Sequence, residues 1–218
     1  MSQLRSQLRQ RLRGLYAVTP DLADTPRLVA LVDAAIAGGA RAIQYRNKTA
    51  SSQLRLEQAT ALARTCSEGG ALVIVNDDAR LAATVGAHGV HLGRDDGDVA
   101  AARALLGPSL LIGASCYDDL ERARMLVAAG ADYVAFGSFF ASSVKPDACR
   151  ASTALLSQAK TLGVPIVAIG GITASNARDL VVAGADAVAV ISDVFGHGDD
   201  RASVIGAAAA IDACFEPA

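Results

Sequence analysis

The sequence predicts an α/β fold of the (β/α)₈ TIM-barrel type, a parallel eight-stranded barrel in one domain over residues 1–218, with residues 1–14 as a short N-terminal helical extension. A recurring phrase is the first sign. Residues 38–46 read GGARAIQYR, 86–93 GAHGVHLG, 129–137 AGADYVAFG and 183–191 AGADAVAVI, each a Gly/Ala turn that closes a helix and feeds a short apolar strand. The second sign is four further strand-like runs between them, LYAVT from Leu15, ALVIVND from Ala71, LLIGAS from Leu110 and PIVAIGG from Pro165, which bring the total to eight. The third is the alternation of these strands with helical segments, which makes the sheet parallel. An open doubly wound sheet ranks second, because no GxGxxG turn is present and a Gly pair follows the seventh strand.

Taken in order, residues 1–14 place Leu4, Leu8 and Leu12 at helical spacing beside Arg5, Arg9, Arg11 and Arg13, with no acid among them. A transit peptide has this composition, but a segment so short, running straight into the first strand, fits better as a helix across the bottom of the domain. After the first strand, Thr25 can cap a helix with Pro26 in its first turn, and Leu28, Leu31, Val32, Ala35 and Ile36 fall on one inward face. After the seventh, Ala177, Leu180, Val181 and Gly184 repeat that logic.

Composition narrows the function. At 52% hydrophobic and 4% aromatic, the core is built from Ala, Val, Leu and Ile. A net charge of −2, from 20 basic and 22 acidic residues, gives no global field for nucleic acid, so any anion is held by local groups. Cys66, Cys116, Cys149 and Cys214 lack a CxxC pair, which with no secretory leader points to reduced thiols in a cytoplasmic protein and away from structural zinc. No apolar run approaches the roughly 20 residues that span a bilayer. The expected partners are small-molecule substrates, with neither nucleic acid nor membrane; a homo-oligomer is left open.

In a TIM barrel the chemistry sits just after the strands. Strand two ends in Gln44-Tyr45-Arg46-Asn47-Lys48, and alternation sends Gln44, Arg46 and Lys48 to one side. Strand three ends in Asn76-Asp77-Asp78 and strand four in His91-Leu92-Gly93-Arg94-Asp95-Asp96, so carboxylates from adjacent loops can converge on one hard cation such as Mg²⁺. Strand five offers Ser115, and strand six a loop with Ser138, Ser142, Ser143 and Lys145. Gly170-Gly171 and Ile191-Ser192, after strands seven and eight, occupy the usual phosphate-binding position of the fold. His91 reads as a satisfied barrel residue, and neither His88 nor His197 belongs to a metal cluster or triad.

These strand ends together, over roughly residues 15–192, resemble the ordered motifs of the thiamine phosphate synthases. The resemblance implies condensation of 4-amino-2-methyl-5-hydroxymethylpyrimidine diphosphate with 4-methyl-5-(2-phosphoethyl)thiazole, releasing pyrophosphate in a Mg²⁺-assisted dissociative substitution. It further implies that Gln44, Tyr45, Arg46, Asn47, Lys48, Asn76, Ser115 and Lys145 bind the pyrimidine diphosphate, with Arg46, Lys48 and Lys145 catalytic. Asp77 and Asp96 would hold Mg²⁺; Ser142, Ser143, Gly171, Ile191 and Ser192 would bind the thiazole phosphate. The chain departs from the family pattern in the sixth loop, where Gly137-Ser138 replaces Gly-Pro and Ser142-Ser143-Val144-Lys145 replaces Thr-x-Thr-Lys. The competing functions are a thiazole tautomerase-like isomerase, which has no diphosphate to stabilise, and a non-catalytic phosphate-binding barrel.

Overall fold

Each repeat of the Gly/Ala phrase does the same backbone work. In the computed structural model, which describes residues 2–94, 97–141, 151–198 and 200–216, the alanine of each turn donates its N–H to a carbonyl five residues back. The pairs are Ala40 to Ala35, Ala71 to Cys66, Ala87 to Ala82, Ala131 to Leu126 and Ala185 to Leu180, at 2.9–3.0 Å. This 6→1 bond closes the helix and requires a left-handed residue just before the alanine, which is why glycine stands there, as at Gly130 (φ 111°) and Gly184 (φ 120°). The next residue joins the sheet. Asp132 and Asp186 fill that position in the AGAD phrases, and their carboxylates accept from Ile112 N and Ile166 N, each at 2.9 Å. In the GAHG phrase His88 Nδ1 accepts from Val73 N at 3.0 Å.

Eight strands follow from these turns: β1 (Gly14–Val18), β2 (Ala42–Tyr45), β3 (Leu72–Asn76), β4 (Gly89–Leu92), β5 (Leu111–Tyr117), β6 (Tyr133–Phe136), β7 (Ile166–Ile169) and β8 (Ala187–Val190). Each pairs in parallel with its sequence neighbours, and β8 closes on β1 through Gly14↔Ala187 and Tyr16↔Ala189. The described helices are α1 (Gln3–Arg11), α2 (Thr25–Ala37), α3 (Ser52–Gly69), α4 (Ala79–Thr84), α5 (Val99–Leu106), α6 (Leu120–Ala128), α7 (Ala154–Ala159), α8 (Ala177–Ala183), α9 (Ser192–Phe195) and α10 (Arg201–Asp212). The expected barrel is present. None of these helices is long and apolar enough to cross a membrane.

Two boundaries differ from expectation for local reasons. Asp24, not Thr25, caps α2: its carboxylate accepts from Arg27 N at 2.9 Å, while the Thr25 hydroxyl donates to Glu57. β5 runs two residues past Ser115, through a bulge at which Tyr117 adopts φ 57°.

Strand alternation divides the core in two. Outward residues such as Val73, Val75, Ile112 and Val188 pack against the helices. Inward ones, among them Tyr16, Ile74, Leu111, Tyr133 and Val167, fill the lumen together with Leu8 from α1 and Leu12 at its C-cap. Leu4 stays exposed. The arginines of the first segment hold α1 across the barrel floor: Arg9 and Arg11 donate to Gly163 O and Gly70 O at 2.6 and 3.0 Å, and Arg5 Nε lies 3.2 Å from Asp132.

Asp132 is 3% exposed and also meets Arg103, whose pKa burial lowers despite the attached carboxylate. Removing the carboxylate leaves two guanidinium groups uncompensated. Asp132→Ala is expected to destabilise the protein by about 3 kcal/mol or more in urea unfolding, against about 1 kcal/mol for Asp186→Ala, whose partner Lys160 is half-exposed. His88 carries a pH dependence. Burial lowers its pKa from 6.5, and its Nδ1 accepts Val73 N–H only while unprotonated. Because the folded pKa is the lower one, this contribution is present above the unfolded value and is lost as pH falls below it. Tm should therefore drop as pH falls below about 6.5, and His88→Leu should remove that part of the dependence.

Candidate active site

At the C-terminal ends of the strands the lumen opens into a cavity of about 650 Å³. Gln44, Asn76, His91 and Ser115 project from β2, β3, β4 and β5 onto its surface, and Ile169 and Ala189 from β7 and β8. Strands three and seven lie four apart in a closed set of eight, so the polar wall of β2–β5 faces the glycine turn after β7 across the mouth.

The end of β2 behaves as alternation dictates. Gln44, Arg46 and Lys48 line the cavity. Tyr45 and Asn47 turn their side chains to the helix side: Tyr45 Oη donates to Gln58 at 2.9 Å, and Asn47 Nδ2 donates to Leu22 O and Gln58. They brace the segment and line a smaller pocket beside Lys48, Asn76 and Asp77, and Asn47 Oδ1 caps the turn at Thr49 and Ala50. Two residues absent from the sequence expectation position the cations. Thr19, fully buried, exchanges hydrogen bonds with the Arg46 backbone at 2.8 and 2.9 Å. Asp21 sits 3.4 Å from the Arg46 guanidinium and accepts from Lys48 N at 2.9 Å.

The paired aspartates after β3 divide into two roles. Asp78 caps α4, accepting from Leu81 N at 2.8 Å through Oδ1. Asp77 remains at the mouth with φ 64°, tied by its N–H to His91 O at 2.8 Å, by its carboxylate to Asn76 and, at 4.0 Å, to Lys48 Nζ. A left-handed aspartate held from three sides is the kind of strain that accumulates at functional sites. Next to it, the Arg94 guanidinium stacks 4.3 Å above the Tyr117 ring, adding a third cation to the mouth. Among the described residues no group of three or more His, Cys, Asp or Glu gathers as a metal cluster.

Across the mouth, Gly170 and Gly171 have φ 107° and 62°. A Cβ on Gly170 would fall 2.0 Å from Ser138 Oγ, and one on Gly171 2.3 Å from Ala141 O. The glycines thus seat the loop after β6 as well as baring backbone to the cavity. Asn176 holds the turn from behind, donating to Gly171 O and accepting from Thr173 N. Ile191 and Ser192 meet this turn at the start of α9, where the first amides of a helix lack partners within it. Asp193, which accepts from Ala174 N at 2.9 Å and lies 3.1 Å from His197 Nε2, is an acid in this region that sequence reading did not single out.

Residues 15–194 match the sequence model of the family described as thiamine monophosphate synthase. The chain belongs to that family. The thiamine-phosphate synthase of Chromobacterium violaceum is 58% identical over 193 residues, covering 88% of this chain and 93% of that one. That of Methylobacillus flagellatus is 56% identical over 191 residues, covering 88% and 91%. The solved thiamine phosphate pyrophosphorylase of Pyrococcus furiosus superposes with a TM-score of 0.83 at 36% identity, over 95% of this chain and 97% of that one.

The structure of this thiamine monophosphate synthase family member brings together Gln44, Arg46, Lys48, Asn76, Asp77, Ser115, Gly171, Ile191 and Ser192 around one cavity. Asp96, Ser142, Ser143 and Lys145 lie outside the described residues. Cys66 and Cys116 are buried with pKa values pushed up to about 12 by desolvation. Asp21 gives a direct test of the cation geometry. Asp21→Ala should raise KM for a diphosphate substrate about tenfold with Tm nearly unchanged, read from steady-state kinetics and a melting curve.

Proposed function

We propose that the chain condenses a hydroxymethylpyrimidine diphosphate with a thiazole phosphate to give thiamine phosphate and pyrophosphate. The observation that carries this reading is one mouth with two anion-holding sides. Arg46, Lys48 and Ser115 stand with Asp77 on the β2–β5 wall, and the Gly170-Gly171 turn with Ser192 stands on the β7–β8 wall. A diphosphate and a monophosphate bound there would bring their ring systems together over the lumen floor.

The chemistry suits these groups. A pyrimidinylmethyl carbon that loses diphosphate leaves a cation delocalised by the amino-substituted ring, so the barrier is set by how well the departing anion is neutralised. Arg46 and Lys48 would supply that neutralisation in a fixed arrangement, and Lys145 would add its charge. The thiazole nitrogen then captures the carbon, and holding both rings in place supplies the rest. No protein nucleophile is needed, which accords with the buried, unreactive thiols of Cys66 and Cys116.

Asp77 fits a Mg²⁺ ligand: its side chain is 26% exposed at the mouth beside Asn76, and Mg²⁺ takes one or two carboxylates and completes its shell with water and phosphate oxygens. Asp96 would be the second. When bound, Mg²⁺ adds positive charge at the leaving pyrophosphate. The proposed setting is the cytoplasm, with small-molecule substrates as the partners.

Purified protein supplied with both substrates and Mg²⁺ should release pyrophosphate only when both are present. Asp77→Ala should lower kcat/KM by about 100-fold or more. Absence of release with retained thiazole phosphate binding would move the chain to the isomerase or phosphate-binding reading.

A further inference from the structure

Polar side chains inside a barrel lumen must find partners, and here five of them find one another in single file. Gln44 Nε2 donates to Tyr16 Oη at 2.9 Å, and the Tyr16 and Tyr133 hydroxyls meet at 3.0 Å. Tyr133 Oη lies 3.1 Å from His91 Nδ1, and His91 Nε2 lies 2.9 Å from Ser115 Oγ. The two ends of the file, Gln44 and Ser115, face the cavity. Its centre, Tyr133, is fully buried, with its ring above Gly113, where a Cβ would fall 1.9 Å from Tyr133 Cζ.

Each hydroxyl has one proton to give, and so does a neutral imidazole. An amide nitrogen can only donate, so Tyr16, accepting from Gln44, passes its proton to Tyr133. Tyr133 passes its own to His91 Nδ1, which places the imidazole proton on Nε2, directed at Ser115. The Ser115 hydroxyl proton then points away from the file, and Gln44 offers its carbonyl Oε1. No other described group bonds either tyrosine hydroxyl, and desolvation raises both of their pKa values, so these protons stay in place. Reversing every bond would need the Gln44 amide turned over. Its NH₂ would then be offered, and Ser115, donating to His91, would offer only lone pairs.

With neutral His91 the two ends are therefore coupled, a donor at Ser115 going with an acceptor at Gln44. Phosphate oxygens only accept. We propose that the file Gln44-Tyr16-Tyr133-His91-Ser115 is a polarity relay, and that Tyr133, which touches no substrate, is a positioning residue for specificity. A diphosphate oxygen that takes the Ser115 proton fixes Gln44 as an acceptor, so the site selects a ring with an exocyclic N–H donor over one with a carbonyl at that position. The identity of ring and diphosphate rests on the synthase reading; the direction of the file does not.

The experiment measures Kd for the aminopyrimidine diphosphate and for its deaminated, carbonyl-bearing analogue, without the thiazole partner, in native protein and in Tyr133→Phe, which keeps the ring over Gly113 and removes only the hydroxyl. The native protein should prefer the amino compound by about tenfold or more, and the variant should compress that preference to about threefold or less. Pyrophosphate affinity serves as a control and should change little; Tm should fall by a few degrees, since Tyr16 and His91 each lose a partner, with the variant still folded at the assay temperature. In native protein with pyrophosphate and Mg²⁺, ¹⁵N NMR should show His91 protonated at Nε2 and bare at Nδ1. An unchanged preference in folded Tyr133→Phe, or a His91 ring protonated at Nδ1, would overturn the relay. If native protein binds neither diphosphate, the synthase reading falls, and the His91 tautomer alone decides the relay.

Discussion

The lumen of an eight-stranded barrel has room for side chains and little else, so what one strand puts in, its neighbour must leave out. β5 shows how strictly this holds. Gly113 yields its place to the ring of Tyr133, and Gly89 on β4 yields to Leu111, where an added Cβ would lie 2.4 Å from Leu111 O. Two large rings, Tyr16 and Tyr133, then occupy the middle of the lumen with their planes at 65°. Their hydroxyls decide which polar residues stand beside them. Strand register sets the height of Gln44 and Ser115 above this layer, and the hydrogen-bonded file joins their side chains to it.

The parts of the fold legible in the sequence were those governed by local rules. A glycine followed by alanine at each helix end, then alternating apolar residues, identifies turn and strand without knowledge of any neighbour. The same locality exposed Gln44, Arg46 and Lys48, since period-two alternation at a strand end needs only the strand. It also sets the side chains of Tyr45 and Asn47 on the opposite face, where they meet Gln58 and Leu22. That Asp78 caps α4 while Asp77 stays at the mouth is set by the path of the chain, which composition does not show because both are carboxylates. Asp21, Thr19 and Tyr133 were illegible for another reason. Each acts through a partner 25 to 117 residues away.

The net charge of −2 is no obstacle to a site for two anionic substrates, because the mouth does not draw on the global field. Arg46, Lys48 and Arg94 are placed there one by one, on Asp21, on Asp77 and on the Tyr117 ring. Such pairing holds the cations in position before a ligand arrives, which lowers the ordering cost of binding. On the far wall, backbone at the Gly170-Gly171 turn and the start of α9 can serve an anion without a cationic side chain.

The floor of the barrel orders events in time. α1 precedes all eight strands, yet the carbonyls that receive its arginines belong to Gly70 and Gly163, its N-cap Ser2 donates to Pro108 O, and Leu8 and the C-cap Leu12 pack among residues of strands spread from β1 to β8. None of those seats exists until the sheet has begun to close. α1 thus precedes in sequence every strand it covers and can dock only once they have come together; without it, the floor of the barrel would expose the apolar lumen that Leu8 and Leu12 cover.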